Sequence, residues 1–414
     1  MRQANPTYLA ALGACLAFQV VTVSWTEITL PEAGPYFGAD FDQDGTGWVF
    51  SDNGLTYFDG RTWSLREWPG PPNGYVTGVS LFEAGGLAVG GDTMLSLQQD
   101  HWISVPLSYD RHAADNLIDV DAVSQATACV VGVEETSGPP ADPYYGLAVC
   151  QVDGVWQSPW RNAKSAYYAV DMTSEHDAWA VGTDVIHWDG QSWNSTGLDL
   201  GDALVQDVSM LSPNSGWMVG STGAASGGAI WHWDGTEWSE QLRTDAPLYS
   251  VSMVDENTGW ATGGDWNEGI GALSQSLFRY RQTGWEAVAG PSSVPGVYVW
   301  ADAAELWLLT GGPVPAKINI DLSPQMFRGR LVEATPTAST TVPTVSTTLP
   351  VLGVETTVPA PTKLADTNEG TESLAPSASR VFGSAVQDLL LVAACIVVTA
   401  AVGGGWVLIR RRRP

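Results

Sequence analysis

The stretch WAVGTDVIHWDGQSW, from Trp179 to Trp193, carries the pattern that decides the fold. Two short apolar segments are followed by an Asp-Gly pair and a tryptophan. Related stretches begin at Trp48, Gly146 and Trp217. Segments rich in Val, Ile, Trp and Tyr are typical of buried strands, and Asp-Gly is a preferred pair for tight hairpins because both residues tolerate positive φ. The pattern predicts β-strands joined by short turns.

The pattern recurs roughly every 40 to 50 residues, which is the spacing of four-stranded propeller blades. Tryptophans mark the predicted fourth strands: Trp63, Trp102, Trp156, Trp193, Trp238 and Trp285. Seven first strands are predicted, at residues 38–41, 77–81, 117–123, 167–172, 205–211, 249–254 and 297–300. No helical periodicity competes with these strands before the C-terminal tail. The sequence therefore predicts an all-β, seven-bladed propeller.

The seventh repeat lacks a fourth strand. Its second and third strands are predicted at 306–310 and 316–321, and an unassigned strand at 24–31, which contains Trp25, precedes the first repeat. A ring in which this N-terminal strand completes the last blade leaves no exposed sheet edge at the seam.

The ends of the chain predict its location. Residues 1–23 read as a signal peptide, 24–331 as the propeller, 332–385 as a Thr/Pro/Ser-rich stalk, 386–409 as a transmembrane helix and 410–414 as a basic cytoplasmic tail. The stretch LGAC ending at Cys15 leaves bacterial lipidation as an alternative for the N-terminus. The expected location is the cell membrane, with one span and an extracytoplasmic propeller.

Charge and cysteine usage fit an exported protein. The net charge is -27, with 18 basic against 45 acidic residues, so nucleic acid is not an expected partner. Cys129 and Cys150 fall on the predicted second and third strands of blade three, where adjacent antiparallel strands bring them within bridging range. A disulfide is predicted there, and two small buried thiols are the alternative.

Asp40, Asp42 and Asp44 in the stretch DFDQDG resemble the start of a calcium loop. Ser51 stands where the bidentate glutamate of an EF-hand would be, and the stretch aligns with turns between first and second strands elsewhere in the chain. The structural turn is the favoured interpretation, and calcium is retained as the alternative. The sequence indicates no other cofactor.

The long insertions predict a binding face. They occupy residues 104–116, 134–146, 221–229 and 264–276, all in connections that emerge on one face of a propeller, whereas the opposite face has tight turns. The candidate ligand contacts on this loop-rich face are Tyr144, Tyr145, Asp142, Trp266, Glu268 and His112. Aromatic and acidic side chains together suit sugar rings or a basic protein surface. The alternative is that these loops are tolerated insertions without function.

The WAVG and HWDGQSW units resemble the repeats of exported bacterial propellers grouped with YCF48-like photosystem II assembly factors and BNR-type repeat proteins. The resemblance covers about residues 24–323 and implies the propeller fold. The Asp-box pattern S-x-D-x-G-x-T-W is not matched, because Asp189 and Gly190 are adjacent. The resemblance therefore transfers no functional residues.

Two functions are compatible with the sequence. The first is a non-catalytic surface module that binds a protein, a glycan or envelope material, and the stalk, the anchor and the missing catalytic motif favour it. The second is a glycan-active hydrolase or lyase that uses paired carboxylates on the loop-rich face. Its candidate carboxylates are Glu134, Glu135, Asp142, Asp265 and Glu268.

Overall fold

The computed structural model describes residues 21–31, 36–42, 44–51, 54–71, 74–83, 85–112, 115–134, 144–223, 227–267, 272–282, 284–311 and 324–333. Those from Val23 to Val332 belong to one compact unit. They form seven antiparallel sheets, six with four strands and one with five. None of these residues forms a helix with the length and hydropathy needed to cross a membrane.

The first three sheets follow chain order. Blade one contains β2 (Tyr36–Phe41), β3 (Gly47–Ser51), β4 (Gly54–Phe58) and β5 (Trp63–Arg66). Blade two contains β6 (Gly78–Phe82), β7 (Gly85–Gly90), β8 (Thr93–Gln98) and β9 (His101–Ser104). Blade three contains β10 (Asp115–Ser124), β11 (Thr127–Glu134), β12 (Tyr145–Val152) and a split outer strand, β13 (Val155–Trp156) and β14 (Trp160–Ala163). Pro159, which has no N–H for the ladder, lies at the split.

The next three blades repeat the plan. Blade four contains β15 (Tyr167–Ser174), β16 (Asp177–Gly182), β17 (Val185–Trp188) and β18 (Trp193–Ser195). Blade five contains β19 (Leu204–Ser212), β20 (Ser215–Thr222), β21 (Gly227–Trp233) and β22 (Trp238–Thr244). Blade six contains β23 (Leu248–Asp255), β24 (Thr258–Asn267), β25 (Ala272–Arg281) and β26 (Gly284–Ala287).

Blade seven is built from both ends of the propeller. Its strands are β27 (Gly296–Ala301), β28 (Glu305–Thr310), β29 (Gln325–Glu333) and β1 (Val21–Ile28), in the order β1-β29-β28-β27. The predicted closure by the N-terminal strand is confirmed, and so are the seven first strands. The side chain of Gln325 donates a hydrogen bond to Glu27 across the seam, at 3.0 Å.

One strand was predicted in the wrong place. The third strand of blade seven is β29 and not residues 316–321, which lie outside the described residues. Two arginines interrupt the apolar pattern of β29. The Arg328 guanidinium pairs with Glu305 and lies 5.1 Å from the Trp307 ring, so a charged residue fills a place where an apolar one was expected.

The predicted domain boundaries fall close to the ends of blade seven. β1 begins at Val21, within the predicted signal peptide, and β29 continues to Glu333, past the predicted start of the stalk at residue 332. The rest of the predicted signal peptide, the remaining stalk, the transmembrane helix and the basic tail lie outside the described residues, and these four assignments stay predictions.

The hydrophobic core is divided into seven clusters, each of which joins two neighbouring blades. The fourth-strand tryptophan of one blade packs against the second strand of the blade before it. Trp102 meets Trp48 edge-on with ring centroids 5.7 Å apart, and Trp238 meets Trp179 at 5.4 Å. Such contacts bury large aromatic surfaces between blades, so the repeated tryptophans stabilise the ring rather than a single sheet.

Candidate ligand-binding mouth of the central channel

The innermost strands carry a ring of polar side chains that connects the blades. At the same position in six consecutive blades, an aspartate or serine accepts a hydrogen bond from a backbone N–H of the next blade. The six acceptors are Asp40, Ser80, Asp121, Asp171, Ser209 and Ser252. The six bonds are 2.6 to 3.1 Å long. They satisfy N–H groups of inner edge strands, which have no further strand to pair with. We call this set the inner polar ring.

A second, partial ring lies two residues earlier on the same strands. Asp119, Asp207 and Ser250 accept N–H groups from Val170, Val251 and Val299 of the next blade, at 2.8 to 3.2 Å. Burial raises the pKa of Tyr298 on β27, and the negative charges of Asp40, Asp207 and Asp119 raise it further. Carboxylates of blades one, three and five therefore act on a single tyrosine of blade seven.

Four of the aspartates in these two rings have a pKa above that of an ordinary aspartate. Burial raises the pKa of Asp40 to about 7 and that of Asp207 to about 6. Burial also raises the pKa of Asp119 and of Asp171. The negative charge of the neighbouring Asp121 raises the pKa of Asp171 further. Each of these four side chains is half-buried. Negative charge on them is unfavourable, because desolvation and like charges both oppose ionisation.

A cavity of about 1020 Å³ lies on the tight-turn face, at the ends of the inner strands. Its lining residues come from the ends of first strands and from the turns after them, in blades one, two, six and seven. The apolar ones include Phe41, Leu81, Phe82, Met253, Val254 and Trp300, and the acidic ones are Asp40, Asp42, Asp44, Glu83 and Asp302. Of the described residues that line it, none is lysine, arginine or histidine. We call this cavity the acidic mouth.

Three of the five acidic side chains in the acidic mouth accept hydrogen bonds from backbone N–H groups. Asp40 belongs to the inner polar ring, Asp44 accepts from the amide and hydroxyl of Thr46, and Asp302 accepts from two amides of its own turn. The carboxylates of Asp42 and Glu83 have no hydrogen bond or ion pair with any residue that the structure describes. These two groups are available to a ligand.

The stretch DFDQDG forms a turn between β2 and β3. Asp42 donates its backbone N–H to Thr46 at 2.8 Å, and Asp44 caps the turn. Asp40 is directed instead to Leu81 of blade two, at 2.7 Å. Within the described part of the chain, these three carboxylates do not form a compact group of ligand atoms. The geometry supports the structural turn and adds no support for calcium.

His112, which the sequence singled out, belongs to a compact polar network at the loop-rich side of blade three. Its Nδ1 lies 2.7 Å from Glu134, and the Arg161 guanidinium donates to both Glu134 and Asp115 at 2.7 to 2.9 Å. The Tyr109 hydroxyl also donates to Asp115. Burial raises the pKa of Asp115, but hydrogen bonds from Arg161 and from the His112 amide outweigh this and hold it below its usual value.

The same network contains ligand atoms of His112, Asp115 and Glu134 within 4.8 Å of one another, a spacing compatible with a metal ion. Arg161 already supplies the positive charge at this point, and a divalent cation beside its guanidinium would be repelled. The residues present therefore do not fit a metal site. Their arrangement orders the loop that leads into β10.

The other predicted contacts of the loop-rich face are placed as follows. Tyr144 and Tyr145 stand at the start of β12, where Tyr145 pairs with Glu134, so they lie in the same blade as His112. Burial raises the pKa of Tyr144. Trp266 lies on β24 of blade six, with its backbone paired to Leu273. Asp142 and Glu268 lie outside the described residues. A binding site on the loop-rich face stays a prediction.

Cys129 and Cys150 form a disulfide between directly paired positions of β11 and β12, with Cα atoms 4.0 Å apart. In blade four the same two positions hold Trp179 and His187, whose rings are in tilted contact with centroids 4.5 Å apart. In blade five, Trp217 and His232 make the same kind of contact at 4.3 Å. The disulfide therefore replaces a pair of packed rings, and the repeated histidines serve packing.

The acidic mouth was not predicted from the sequence, in which the long loops of the other face are the more conspicuous departure from the repeat. Trp300 offered a usable signal. Six of the seven first strands place aspartate or serine at the position of the inner polar ring, and only Trp300 departs from this rule among the seven. A break in a repeated position is a reason to examine that position for function.

No family model and no curated protein matches this sequence. The structure is similar to that of YCF48 bound to D1 peptide, with a TM-score of 0.50 and 14% identity over 73% of this chain and 96% of that one. YCF48 from Cyanidioschyzon merolae gives a TM-score of 0.51 at 14% identity, with 74% and 98% covered. The WD40 repeats of RRP9 give 0.56 at 9%, with 74% and 97% covered.

The shared feature is the fold. This chain is a seven-bladed propeller, and its fold is similar to those of YCF48 and of the WD40 repeats of RRP9. At such low identities the similarity does not extend to ligands or to functional residues.

Proposed function

We propose that this protein is a membrane-anchored, extracytoplasmic propeller that binds a protein partner without changing it chemically. The observation that carries this proposal is the acidic mouth, a large cavity on a closed ring in which Asp42 and Glu83 have no described partner. A rigid ring with an open, amphipathic cavity is suited to recognition, since little conformational freedom is lost on binding.

The ring carboxylates support binding rather than catalysis. Asp40, Asp119, Asp121, Asp171 and Asp207 each accept a backbone N–H of a neighbouring blade, so their positions are explained by assembly of the ring. One of the similar structures is YCF48 bound to a D1 peptide, which illustrates that a propeller of this shape can hold a peptide. The anchor rests on the apolar segment 389–409 and the arginines after it.

The glycan-active alternative has no specific observation in its favour. Glu134 is held by Arg161 and His112, and Asp265 lies on β24 with its backbone amide bonded to Ser274. Glu135, Asp142 and Glu268 lie outside the described residues. A glycosidase needs two carboxyl groups facing each other across a cleft.

The full-length protein, solubilised in detergent, should be applied to a peptide array and to a glycan array, and each bound ligand recovered and weighed by mass spectrometry. The expected result is reversible binding of peptides whose masses are unchanged. Phe82→Ala at the acidic mouth and Tyr144→Ala on the loop-rich face then report which face binds. Cleaved glycans, or an absence of any peptide binding, would contradict the proposal.

A further inference from the structure

Trp300 occupies an exceptional place in the ring. At the equivalent position, the other six blades carry the acceptors of the inner polar ring. An indole cannot accept the Phe41 N–H of the next blade, and Asp40 bonds that N–H instead, at 2.9 Å. The Trp300 side chain therefore takes no part in the hydrogen bonds that join the blades. It packs on Phe41 at 5.4 Å and lines the acidic mouth with part of its surface exposed.

Phe82 of blade two adds a second aromatic side chain to the same cavity, also partly exposed. Aromatic faces of this kind suit a long aliphatic stem and attract a cation placed over the ring. A metal ion alone would not use these walls, and the cavity of about 1020 Å³ is far larger than an ion requires.

The charge of the cavity selects the sign of its occupant. Asp42 and Glu83 carry carboxylates without a described partner, and the lining has no described basic residue. Partial burial raises the pKa of Asp42, and repulsion from Asp44 raises it further. A cation bound beside Asp42 would offset the repulsion between Asp42 and Asp44, whereas an anion would increase it.

From these contacts we infer that the acidic mouth takes a lysine or arginine side chain from an exposed segment of a partner protein. The aliphatic stem lies against Trp300 and Phe82, and the charged end meets Asp42 and Glu83. This inference rests on the proposed function, because it names the chemistry of the partner at the same site. Of the two basic residues, arginine fits better, since its planar guanidinium both stacks on an indole and forks onto a carboxylate.

The test uses two fluorescent peptides and the full-length protein. One probe is fluorescein-labelled Gly-Ser-Gly-Arg-Gly-Ser-Gly, and the other has citrulline, a neutral analogue of the same shape, in place of arginine. Fluorescence polarisation should show the arginine probe binding roughly tenfold more tightly. The double variant Asp42→Asn/Glu83→Gln should weaken the arginine probe roughly tenfold and leave the citrulline probe unchanged. Both substitutions keep the shape of the side chain, and an unchanged unfolding midpoint verifies the fold.

Glu237→Gln is the matched control. Glu237 is an exposed acidic residue in a hairpin of blade five, on the same face of the propeller as the acidic mouth. An equal loss in this variant would mean that a protein of net charge -27 attracts cations at no particular site. Equal binding of the two probes would also overturn the inference. If array peptides bind the wild-type protein and the double variant with equal affinity, the inference fails while the proposed function stands. If no peptide binds, both fail.

Discussion

The carboxylate of Asp121, on the inner strand of blade three, accepts the backbone N–H of Met172 in blade four at 2.8 Å. The Ser80 hydroxyl of blade two donates to the same carboxylate at 2.7 Å. Three consecutive blades thus meet at one side chain. Polar side chains thus add a directed hydrogen bond to the apolar packing at six of the seven blade junctions.

Removing one acceptor of the inner polar ring should destabilise the protein. Asp171→Ala leaves the Met210 N–H without its partner, and a buried unsatisfied amide costs about 1–3 kcal/mol. Asp171→Ser is the matched control, since serine fills the same position in blades two, five and six. Urea unfolding of the full-length protein should show a clear loss of stability for Asp171→Ala and a smaller loss for Asp171→Ser. Equal stability of all three proteins would contradict the role of the ring.

The stability of the propeller should decrease as the pH rises from 5 to 8. The pKa of Asp40 is about 7 and that of Asp207 about 6 in the folded protein, against an ordinary value of 3.8. The folded state therefore binds more protons than the unfolded state between roughly pH 4 and 7, and the free energy of unfolding falls through that window. The expected change between pH 5 and 8 is on the order of 4 kcal/mol, from about two pKa units for Asp40 and about one for Asp207.

Below this window the trend should reverse. The hairpin carboxylate Asp234 has its pKa lowered to about 2 by hydrogen bonds from the Thr236 side chain and from backbone amides, and its contribution is lost as it becomes protonated. Urea midpoints measured across the pH range test both limbs. The double variant Asp40→Asn/Asp207→Asn should flatten the slope between pH 5 and 8. A stability that rises with pH over that interval would refute the assignment.

The disulfide should stabilise blade three substantially. Both cysteines are fully buried, and their sequence separation is 21 residues. A crosslink that closes a loop of this size contributes about 3 kcal/mol by restricting the unfolded chain. Cys129→Ala/Cys150→Ala should lower the urea midpoint accordingly, and the native protein should resist thiol reagents at both positions. Two alkylated thiols at these positions in unreduced, unfolded protein would show that no bond had formed.

Closure of the ring predicts an energetic coupling between distant parts of the sequence. A methyl group added at Gly329 would come within 2.9 Å of the Trp25 ring on β1 and 2.8 Å of Val23. Gly329→Ala should therefore cost about 1–3 kcal/mol, as overpacking does. In a protein that also carries Trp25→Ala, which removes the obstructing ring, Gly329→Ala should be less destabilising. The double-mutant cycle should give a coupling of about 0.5–3 kcal/mol, whereas strictly additive effects would place β1 elsewhere.

The architecture could be predicted because the signals that specify it are repeated. Seven apolar first strands, the Asp-Gly hairpins and the fourth-strand tryptophans point to the same fold, and Trp25 identified the closing strand. At Asp153-Gly154 both residues have positive φ, as predicted. At Asp59-Gly60 only the glycine does, and the Asp59 side chain accepts two amides of the turn instead. The same sequence pair thus forms two kinds of hairpin.

The acidic mouth could not be predicted in the same way. Asp42, Glu83 and Trp300 come from three different blades, and only ring closure brings blade seven beside blade one. Their local patterns are those of ordinary turns and strand ends. The third strand of blade seven was misplaced for a related reason: Arg328 is acceptable inside a sheet because it pairs with Glu305 and lies over Trp307, contacts that exist only in the folded protein.

The proposed protein partner occupies the acidic mouth. The test is to place the photocrosslinking amino acid benzoylphenylalanine at position 82, in the acidic mouth, or at position 145, on the loop-rich face, of the full-length protein in the cells that produce it. Irradiation should attach a defined protein at position 82 through a segment that contains lysine or arginine, and Asp42→Asn/Glu83→Gln should abolish that adduct. Adducts confined to position 145, or none at either position, would contradict the account.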